Sequence, residues 1–331
     1  MLGQISGDIR KIFVSYEKDL VLMEESLKRL FASNAFLIPM IGRYLTEGGG
    51  KRMRPLFLLV SARLAGYGGS DHIPLSAVIE SIHTASLLHD DVVDGADVRR
   101  GRSAAHITWG NQVVVLVGDF LYANALKMAV SCGDIRIVGA LSQAVTAMSE
   151  GELLQLEKSG DVDITEEDYM KIISSKTGVL ISAACRIGAI LGHMPPEQEE
   201  ALAAFGLKTG ITFQMADDIL DYVADRENGF GKKLGKDLEE GKITLPLIYL
   251  IKQAGGGEKA EIKTILEAKN PSQKGLDRIR ELFKKYDAVG LALERARQSL
   301  EEAKAQIPVL RDCGEKQELL ALADYALQRE F

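Results

Sequence analysis

Apolar residues recur at helical spacing along nearly the whole chain, and this pattern limits what the chain can fold into. Positions i, i+3 or i+4, and i+7 are apolar in 75–90, in 173–191 and in 290–307, which is the period of one helix face. Strict alternation of apolar and polar residues, the signal of a strand, is scarce. The run 113–117 is ambiguous, but its continuation through 122 favours a helix. We therefore predict an all-α fold.

The organisation of the chain indicates one domain. Its 331 residues contain no proline- or serine-rich linker and no shift in composition, so we predict a single domain over 1–331. The segments 111–130 and 137–156 are apolar around more than one stripe. We expect these two helices at the centre of the domain or at a subunit interface.

Composition and charge exclude several classes of protein. A content of 46% hydrophobic and 26% charged residues is typical of a globular protein with a large core. The net charge of −7 argues against nucleic acid as a partner. The three cysteines are far apart, which favours reduced thiols. The first residues lack the apolar core of a signal peptide, and charges interrupt the longest apolar stretches before they reach the ~18–20 residues of a spanning helix. We expect a cytoplasmic protein without a transmembrane segment.

Two copies of an aspartate-rich DDxxD motif end apolar helical stretches. Each copy puts two carboxylates on one helix face and a third nearby. Like charges at this spacing destabilise a helix by a few tenths of a kcal/mol unless a cation lies among them. Carboxylate oxygens are hard ligands that suit Mg²⁺. The candidate metal ligands are Asp90, Asp91 and Asp94 in the first copy and Asp217, Asp218 and Asp221 in the second. The alternative for a single copy is an acidic helix end paired with nearby arginines.

Basic residues beside both motifs indicate a phosphate-bearing ligand. Arg99 and Arg100 follow the first motif after a turn at Gly95, and guanidinium groups bind phosphate oxygens in pairs. Lys51 and Arg54 follow three glycines and would lie at a helix N-terminus, where anions are favoured.

Further cations lie beside the second motif. Lys176 and Thr177 offer an ammonium and a hydroxyl group inside an otherwise apolar helix, although a snorkelling lysine would give the same pattern. A glycine-interrupted loop after the motif carries four lysines that compete for one phosphate-binding role: Lys232, Lys233, Lys236 and Lys242.

The order of these motifs resembles that of the trans-isoprenyl diphosphate synthases, the polyprenyl synthetase family. The segments GGGKRMRP, HTASLLHDDVVD, RRG, GDFLY, EGELLQLE, SKTG, FQMADDILD and EGKITLP follow one another between roughly residues 40 and 250. The resemblance implies an isoprenoid synthase helical bundle around a deep central cavity, paired as a homodimer. It also implies Mg²⁺ as the cofactor, and isopentenyl diphosphate and an allylic diphosphate, expected to be farnesyl diphosphate, as the substrates.

The resemblance also implies roles for individual residues. The six aspartates would hold Mg²⁺ and, with Arg99 and Lys176, form the catalytic set. The allylic diphosphate would contact Arg99, Lys176, Thr177, Gln214 and Lys232. Isopentenyl diphosphate would contact Lys51, Arg54, His83 and Arg100.

The residues before Asp90 bear on product length. In short-chain members of this family, bulky aromatic residues at the fifth and fourth positions upstream close the pocket, whereas this chain has Ala85 and Ser86. We expect a pocket open to Ile82 and to Val78, ~18 Å from Asp90 at ~1.5 Å per residue. The expected product is a long all-trans polyprenyl diphosphate, about octaprenyl, for quinone side chains.

Three alternatives remain open at this stage. Another helix could supply a bulky side chain that closes the pocket, which would make the enzyme a farnesyl or geranylgeranyl diphosphate synthase. The chain could be a non-catalytic subunit of a heteromeric synthase, although such a subunit would be expected to lose aspartates. A different class I terpene enzyme is disfavoured by the second aspartate motif and by the isopentenyl-site cations.

Overall fold

The computed structural model describes residues 7–99, 101–223, 241–268 and 272–328, and these residues are predominantly helical. The first helices are α1 (Gly7–Ser15), α2 (Glu17–Leu30), α3 (Leu37–Glu47), α4 (Met53–Leu64), α5 (His72–Val93), α6 (Ala105–Trp109), α7 (Asn111–Val130) and α8 (Ile135–Glu157). The later helices are α9 (Glu166–Ile173), α10 (Val179–Leu191), α11 (Pro196–Val223), α12 (Leu245–Gln253), α13 (Gly256–Leu266), α14 (Gln273–Tyr286), α15 (Ala288–Lys304) and α16 (Gly314–Gln328). The all-α prediction is confirmed, including the helix over the ambiguous run 113–117.

Two short segments depart from this pattern. Strands β1 (Val98–Arg99) and β2 (Arg102–Ser103) form a small antiparallel pair, with Val98 opposite Ser103. A π-helical turn, Ser174–Gly178, lies between α9 and α10 where the sequence predicted continuous α-helix. Such turns occur mostly as single insertions and are frequent at functional sites.

Two compact units divide the chain. The first comprises the described residues of 1–145, 180–206 and 307–322, and the second those of 146–179, 207–306 and 323–331. Each unit is described by itself below. The prediction of a single domain stays a prediction.

The first unit is built around α5. This helix packs against α7, α2 and α4, and its buried residues include Leu75, Ile79 and Ile82. Leu27, Ala85, Leu88 and Leu121 belong to one buried apolar cluster within this unit. The helix that carries the first aspartate motif is therefore held on several sides by apolar packing.

The second unit has its own apolar core. Helix α12 packs against α15 and α14, and Leu247, Leu282 and Ile219 are fully buried in one cluster. Helix α9 begins with a capping box, in which Thr165 and Asp168 exchange side-chain-to-backbone hydrogen bonds. This cap satisfies backbone donors of the first turn and fixes where the helix starts.

Two described helical stretches have the length and composition of a membrane-spanning helix. They are Asn111–Val130, of mean hydropathy 1.7, and Glu166–Leu191, of mean hydropathy 1.2. The sequence analysis expected charges to interrupt every apolar stretch before this length. Asp119 and Lys127 do interrupt the first stretch, although its mean hydropathy stays high. A core helix passes the same test, and 61% of the apolar window in the second stretch is buried. The absence of a transmembrane segment stays a prediction.

Candidate active site

The first aspartate motif lies at the C-terminal end of α5. Asp94 is the C-cap residue, and its backbone N–H donates to the carbonyl of Asp90 at 2.8 Å. Asp90 and Asp94 are half-buried, whereas Asp91 is only 3% exposed. Carboxylates at this end of a helix oppose its dipole as well as one another. The arrangement therefore favours a cation beside the motif.

Arg99 is held by the buried aspartate of this motif. Its Nε donates to Asp91 Oδ1 at 2.7 Å, and its Nη2 donates to the same oxygen. The Asp91 side chain is 4% exposed and the Arg99 side chain 37% exposed. The pair occupies Oδ1 of Asp91 and keeps the guanidinium beside the motif, where the sequence predicted a phosphate contact. The predicted neighbour Arg100 lies outside the described residues.

The predicted isopentenyl diphosphate residues are brought together in part. Arg54 is the second residue of α4, and its Nη1 donates to His83 Nε2 of α5 at 3.1 Å. Lys51 is exposed just before α4. Arg54 and His83 are thus paired as expected for one site.

Arg52 anchors this cluster, and the sequence analysis missed it. Its Nη1 donates to Glu80 Oε1 at 2.7 Å and its Nε donates to Glu24 Oε1 at 2.5 Å. The side chains of Arg52 and Glu80 are 12% and 5% exposed. Arg52 adopts a left-handed backbone conformation with φ of 51°, which is strained for a residue with a Cβ atom. Three elements are joined at this point, so the loop between α3 and α4 is fixed against α2 and α5.

A cavity in the first unit adjoins these groups. Its lining includes Asp91 and three guanidinium groups, those of Arg52, Arg99 and Arg102. Arg102 donates from Nη1 to the carbonyl of Tyr44 at 3.1 Å and stacks over its ring at 4.3 Å. Arg102 adds positive charge to the lining of this cavity. Its sequence position did not indicate this role, because the β1–β2 hairpin brings it to the cavity.

Helices α5 and α7 meet directly beside the first motif. His89 Nε2 donates to the carbonyl of Val115 at 3.0 Å and lies 3.5 Å from Asp119 Oδ1. A Cβ atom on Gly118 would lie 2.2 Å from His89 Nε2. The glycine of the GDFLY segment therefore makes room for the residue that precedes the aspartates.

The second aspartate motif lies near the end of α11. Asp217 is exposed, and Asp218 and Asp221 are half-buried. Gln214 Nε2 donates to Asp218 Oδ1 at 2.8 Å, which confirms that these two residues share a helix face. Thr177 Oγ1 donates to Gln214 Oε1 at 2.8 Å. Two predicted phosphate-binding residues, Thr177 and Gln214, thus connect to the motif through hydrogen bonds.

Tyr169 also contacts this motif, and sequence reasoning missed it. Its hydroxyl donates to Asp218 Oδ2 at 2.7 Å. Burial, followed by the charge of Asp218, raises the pKa of Tyr169 well above its ordinary value, so the hydroxyl stays a donor. No spacing rule connects the two residues, which are 49 positions apart.

Lys176 projects from the π-helical turn and is held by α8. Its ammonium lies 2.5 Å from Glu152 Oε2 and donates to Gln155 Oε1 at 2.9 Å. A Cβ atom on Gly151 would lie 2.7 Å from Ser175 Cβ, so this glycine allows α8 to approach the turn. The EGELLQLE segment thus supplies the residues that orient the lysine.

The lysines after the second motif are described only in part. Lys232, Lys233 and Lys236 lie outside the described residues, and Lys242 is half-buried before α12. The choice among them for phosphate binding stays a prediction.

The predicted chain-length residues lie on α5. Ala85, Ile82 and Val78 are fully buried, and Ser86 is half-buried with its Oγ donating to the carbonyl of His83 at 2.9 Å. Ala85 shares an apolar cluster with Val117 of α7 and Met23 of α2, among others. The small side chain at 85 therefore lets neighbouring helices pack closely.

The donor chemistry of both motifs fits Mg²⁺ that is shared with a substrate. Carboxylate oxygens are its preferred protein ligands, and it usually binds through one or two of them together with water and substrate phosphates. Among the described residues, no three His, Cys, Asp or Glu side chains are grouped closely enough to enclose a metal.

Comparisons with known proteins agree with this geometry. The polyprenyl synthetase family profile matches residues 37–284. The octaprenyl diphosphate synthase of Escherichia coli (strain K12) is 39% identical over 98% of this chain and 99% of its own length. The all-trans-nonaprenyl-diphosphate synthase (geranyl-diphosphate specific) of Rhodobacter capsulatus is 36% identical over 96% of this chain and 97% of its own. A polyprenyl synthase from Caulobacter crescentus CB15, crystallised with calcium and isoprenyl diphosphate, superposes with a TM-score of 0.90 at 36% identity and covers 99% of this chain and 100% of its own.

Proposed function

Because this chain belongs to the polyprenyl synthetase family and is a trans-prenyltransferase, we propose that it joins isopentenyl diphosphate head to tail to an allylic diphosphate. The proposed primer is farnesyl diphosphate, and the proposed product is an all-trans polyprenyl diphosphate of about octaprenyl length for quinone side chains. One observation carries the proposal: in each aspartate motif, a side chain that is expected to bind diphosphate already donates a hydrogen bond to an aspartate. Arg99 donates to Asp91, and Gln214 donates to Asp218.

The proposed cofactor is Mg²⁺, held by the six aspartates of the two motifs. When bound, it would supply positive charge that favours departure of diphosphate from the allylic substrate. A calcium ion accompanies isoprenyl diphosphate in the Caulobacter crescentus polyprenyl synthase, which supports a divalent cation here.

The chain's own cations would hold the two diphosphates. Arg99 and Lys176 would bind the allylic diphosphate, together with Thr177, Gln214 and Lys232. Arg54 and His83, with Lys51 and Arg100, would bind isopentenyl diphosphate. Preorganised cations of this kind stabilise negative charge that develops on a leaving group.

The proposed reaction needs no protein nucleophile. The allylic C–O bond breaks and leaves a carbocation, and the double bond of isopentenyl diphosphate attacks it to form the new C–C bond. A proton is then lost to the departing diphosphate. The apolar residues of α5 would keep water from the carbocation, which water would otherwise quench.

Product length is the finer part of the proposal. Small residues at 85 and 86 support a long product, as do the octaprenyl and nonaprenyl diphosphate synthases among the relatives.

A homodimer is proposed as well. Helix α7 exposes Leu116 at 67% and Val115 at 37%, and exposed apolar side chains of this kind support a subunit interface. We propose a cytoplasmic location.

The deciding experiment incubates the purified chain with Mg²⁺, farnesyl diphosphate and excess isopentenyl diphosphate, followed by mass spectrometry of the products. We expect a dominant product near octaprenyl diphosphate. A product that stops at farnesyl or geranylgeranyl diphosphate would overturn the proposed length. Absence of product from every allylic primer would overturn the proposal of an enzyme active without a partner.

A further inference from the structure

The carboxylate of Asp218 is held at both of its oxygens. Tyr169 donates to Oδ2 at 2.7 Å, and Gln214 donates to Oδ1 at 2.8 Å. The amide of Gln214 is itself oriented, because its oxygen accepts from Thr177 at 2.8 Å. Its nitrogen must therefore face the aspartate. Two donors from different elements fix the rotation of one carboxylate.

Tyr169 is a rigid support for this hydrogen bond. The residue is 4% exposed and belongs to the same buried cluster as Met215 and Ile219, which flank Asp218 along α11. Its helix, α9, starts at a capping box that ends at Asp168, one residue before Tyr169. A buried aromatic ring on a capped helix has little freedom, so the hydroxyl oxygen has a defined position.

The donors described for Asp91 and for Asp218 differ in charge. Arg99 forms an ion pair with Asp91, whereas both donors described for Asp218 above are neutral. A neutral donor orients a carboxylate but leaves its negative charge in place. Outer-shell donors of this kind orient metal ligands and are themselves important for metal affinity.

We propose that Tyr169 is a positioning residue of the second aspartate motif, and that its hydroxyl orients Asp218 as a ligand for a divalent cation. The inference rests on the proposed function only in treating Asp218 as a cation ligand. In this role Tyr169 acts through Asp218, to which it is hydrogen-bonded.

The test measures cation binding as well as turnover. Tyr169→Phe removes the hydroxyl and keeps the ring, and Tyr169→Met gives a second side chain without a donor. Binding of Mn²⁺ in the presence of inorganic diphosphate is followed by loss of the electron paramagnetic resonance signal of free Mn²⁺, beyond the loss that the same diphosphate causes without protein. The Mg²⁺ concentration for half-maximal turnover is measured in parallel, and unfolding without metal reports on the fold.

The matched control is Tyr16→Phe. Tyr16 is 1% exposed and donates its hydroxyl to Glu318 Oε2 at 2.8 Å, so the same atom is lost from a partly buried tyrosine–carboxylate bond that involves neither motif. This control separates the effect of losing any partly buried tyrosine–carboxylate hydrogen bond from the effect of losing one that orients a proposed cation ligand.

We expect Tyr169→Phe and Tyr169→Met to weaken Mn²⁺ binding by about tenfold or more, with a matching rise in the Mg²⁺ requirement. Tyr16→Phe is expected to lower metal-free stability without changing either cation value. Unchanged Mn²⁺ affinity in folded Tyr169 variants would overturn the inference, as would a wild-type protein that binds no Mn²⁺ with diphosphate. If the wild type binds Mn²⁺ but makes no polyprenyl product, the proposed function fails while the Mn²⁺ comparison still decides the role of Tyr169.

Discussion

Replacement of Ala85 by phenylalanine tests both the packing of α5 and its proposed control of product length. Ala85 lies five residues before Asp90, which is ~7.5 Å along the helix axis, whereas Val78 lies ~18 Å away. In the proposed pocket along α5, an aromatic side chain at 85 would therefore leave less than half of the depth below the aspartates. We expect the dominant product to fall to about half the isoprene units of the wild-type product or fewer, with turnover retained.

The same substitution has an energetic cost that follows from its surroundings. Ala85 is fully buried in a cluster with Leu88, Val114 and Leu121, so a benzyl group must displace packed neighbours. Overpacking of this kind costs about 1–3 kcal/mol. At about 2–4 °C per kcal/mol for a large domain, the unfolding midpoint should fall by about 2–12 °C. Ser86→Phe should lower the stability less than Ala85→Phe, because Ser86 is half-buried whereas Ala85 is fully buried.

The assay combines product mass with thermal unfolding for Ala85→Phe, Ser86→Phe and the small-for-small control Ala85→Ser. We expect the control to keep the wild-type product and midpoint. A folded Ala85→Phe enzyme with products of wild-type length would refute the idea that this face of α5 limits chain growth. A wild-type midpoint for Ala85→Phe would refute the packing argument.

Three further substitutions test other parts of the site. Asp90→Ala should abolish turnover and leave the unfolding midpoint close to wild type, as measured by product formation and calorimetry. Glu80→Gln should destabilise the protein by about 1–3 kcal/mol in urea unfolding, because it removes one of the two carboxylates that pair with the buried guanidinium of Arg52, and should raise the KM for isopentenyl diphosphate because Arg52 anchors the loop of Lys51. Gly118→Ala should cost about 1–3 kcal/mol and reduce turnover, since the new Cβ atom would displace His89 beside the first motif.

Two control variants match these changes chemically. Asp134→Asn weakens the more exposed pair with Arg136, and exposed pairs contribute about 0–1 kcal/mol. Gly139→Ala adds a methyl group to the interior of α8 where nothing lies within 4 Å, so it should be neutral or stabilising by about 0.5–1 kcal/mol. If Glu80→Gln loses no more stability than Asp134→Asn, or Gly118→Ala no more than Gly139→Ala, the contacts assigned to Glu80 or to Gly118 are contradicted.

The secondary structure was largely predictable because it depends on local spacing. Apolar periodicity identified α5, α7, α8 and α15, and spacing alone put Gln214 and Asp218 on one face of α11. The π-helical turn at Ser174–Gly178 was not predictable, because close contacts from other helices shape it: Gly178 lies so near α11 that a Cβ atom there would be 2.9 Å from the carbonyl of Leu207. The two-residue strands are likewise too short to show a period.

The sequence by itself determined the all-α class, the identity of the candidate metal ligands and the family. These follow from periodicity and from motifs whose members are a few residues apart. Only the tertiary structure decided which side chains support them: Tyr169 on Asp218, Glu152 on Lys176, and Glu80 on Arg52. Those partners are 49, 24 and 28 positions apart, and a hydrogen bond across such distances depends on how helices pack, which no local pattern encodes.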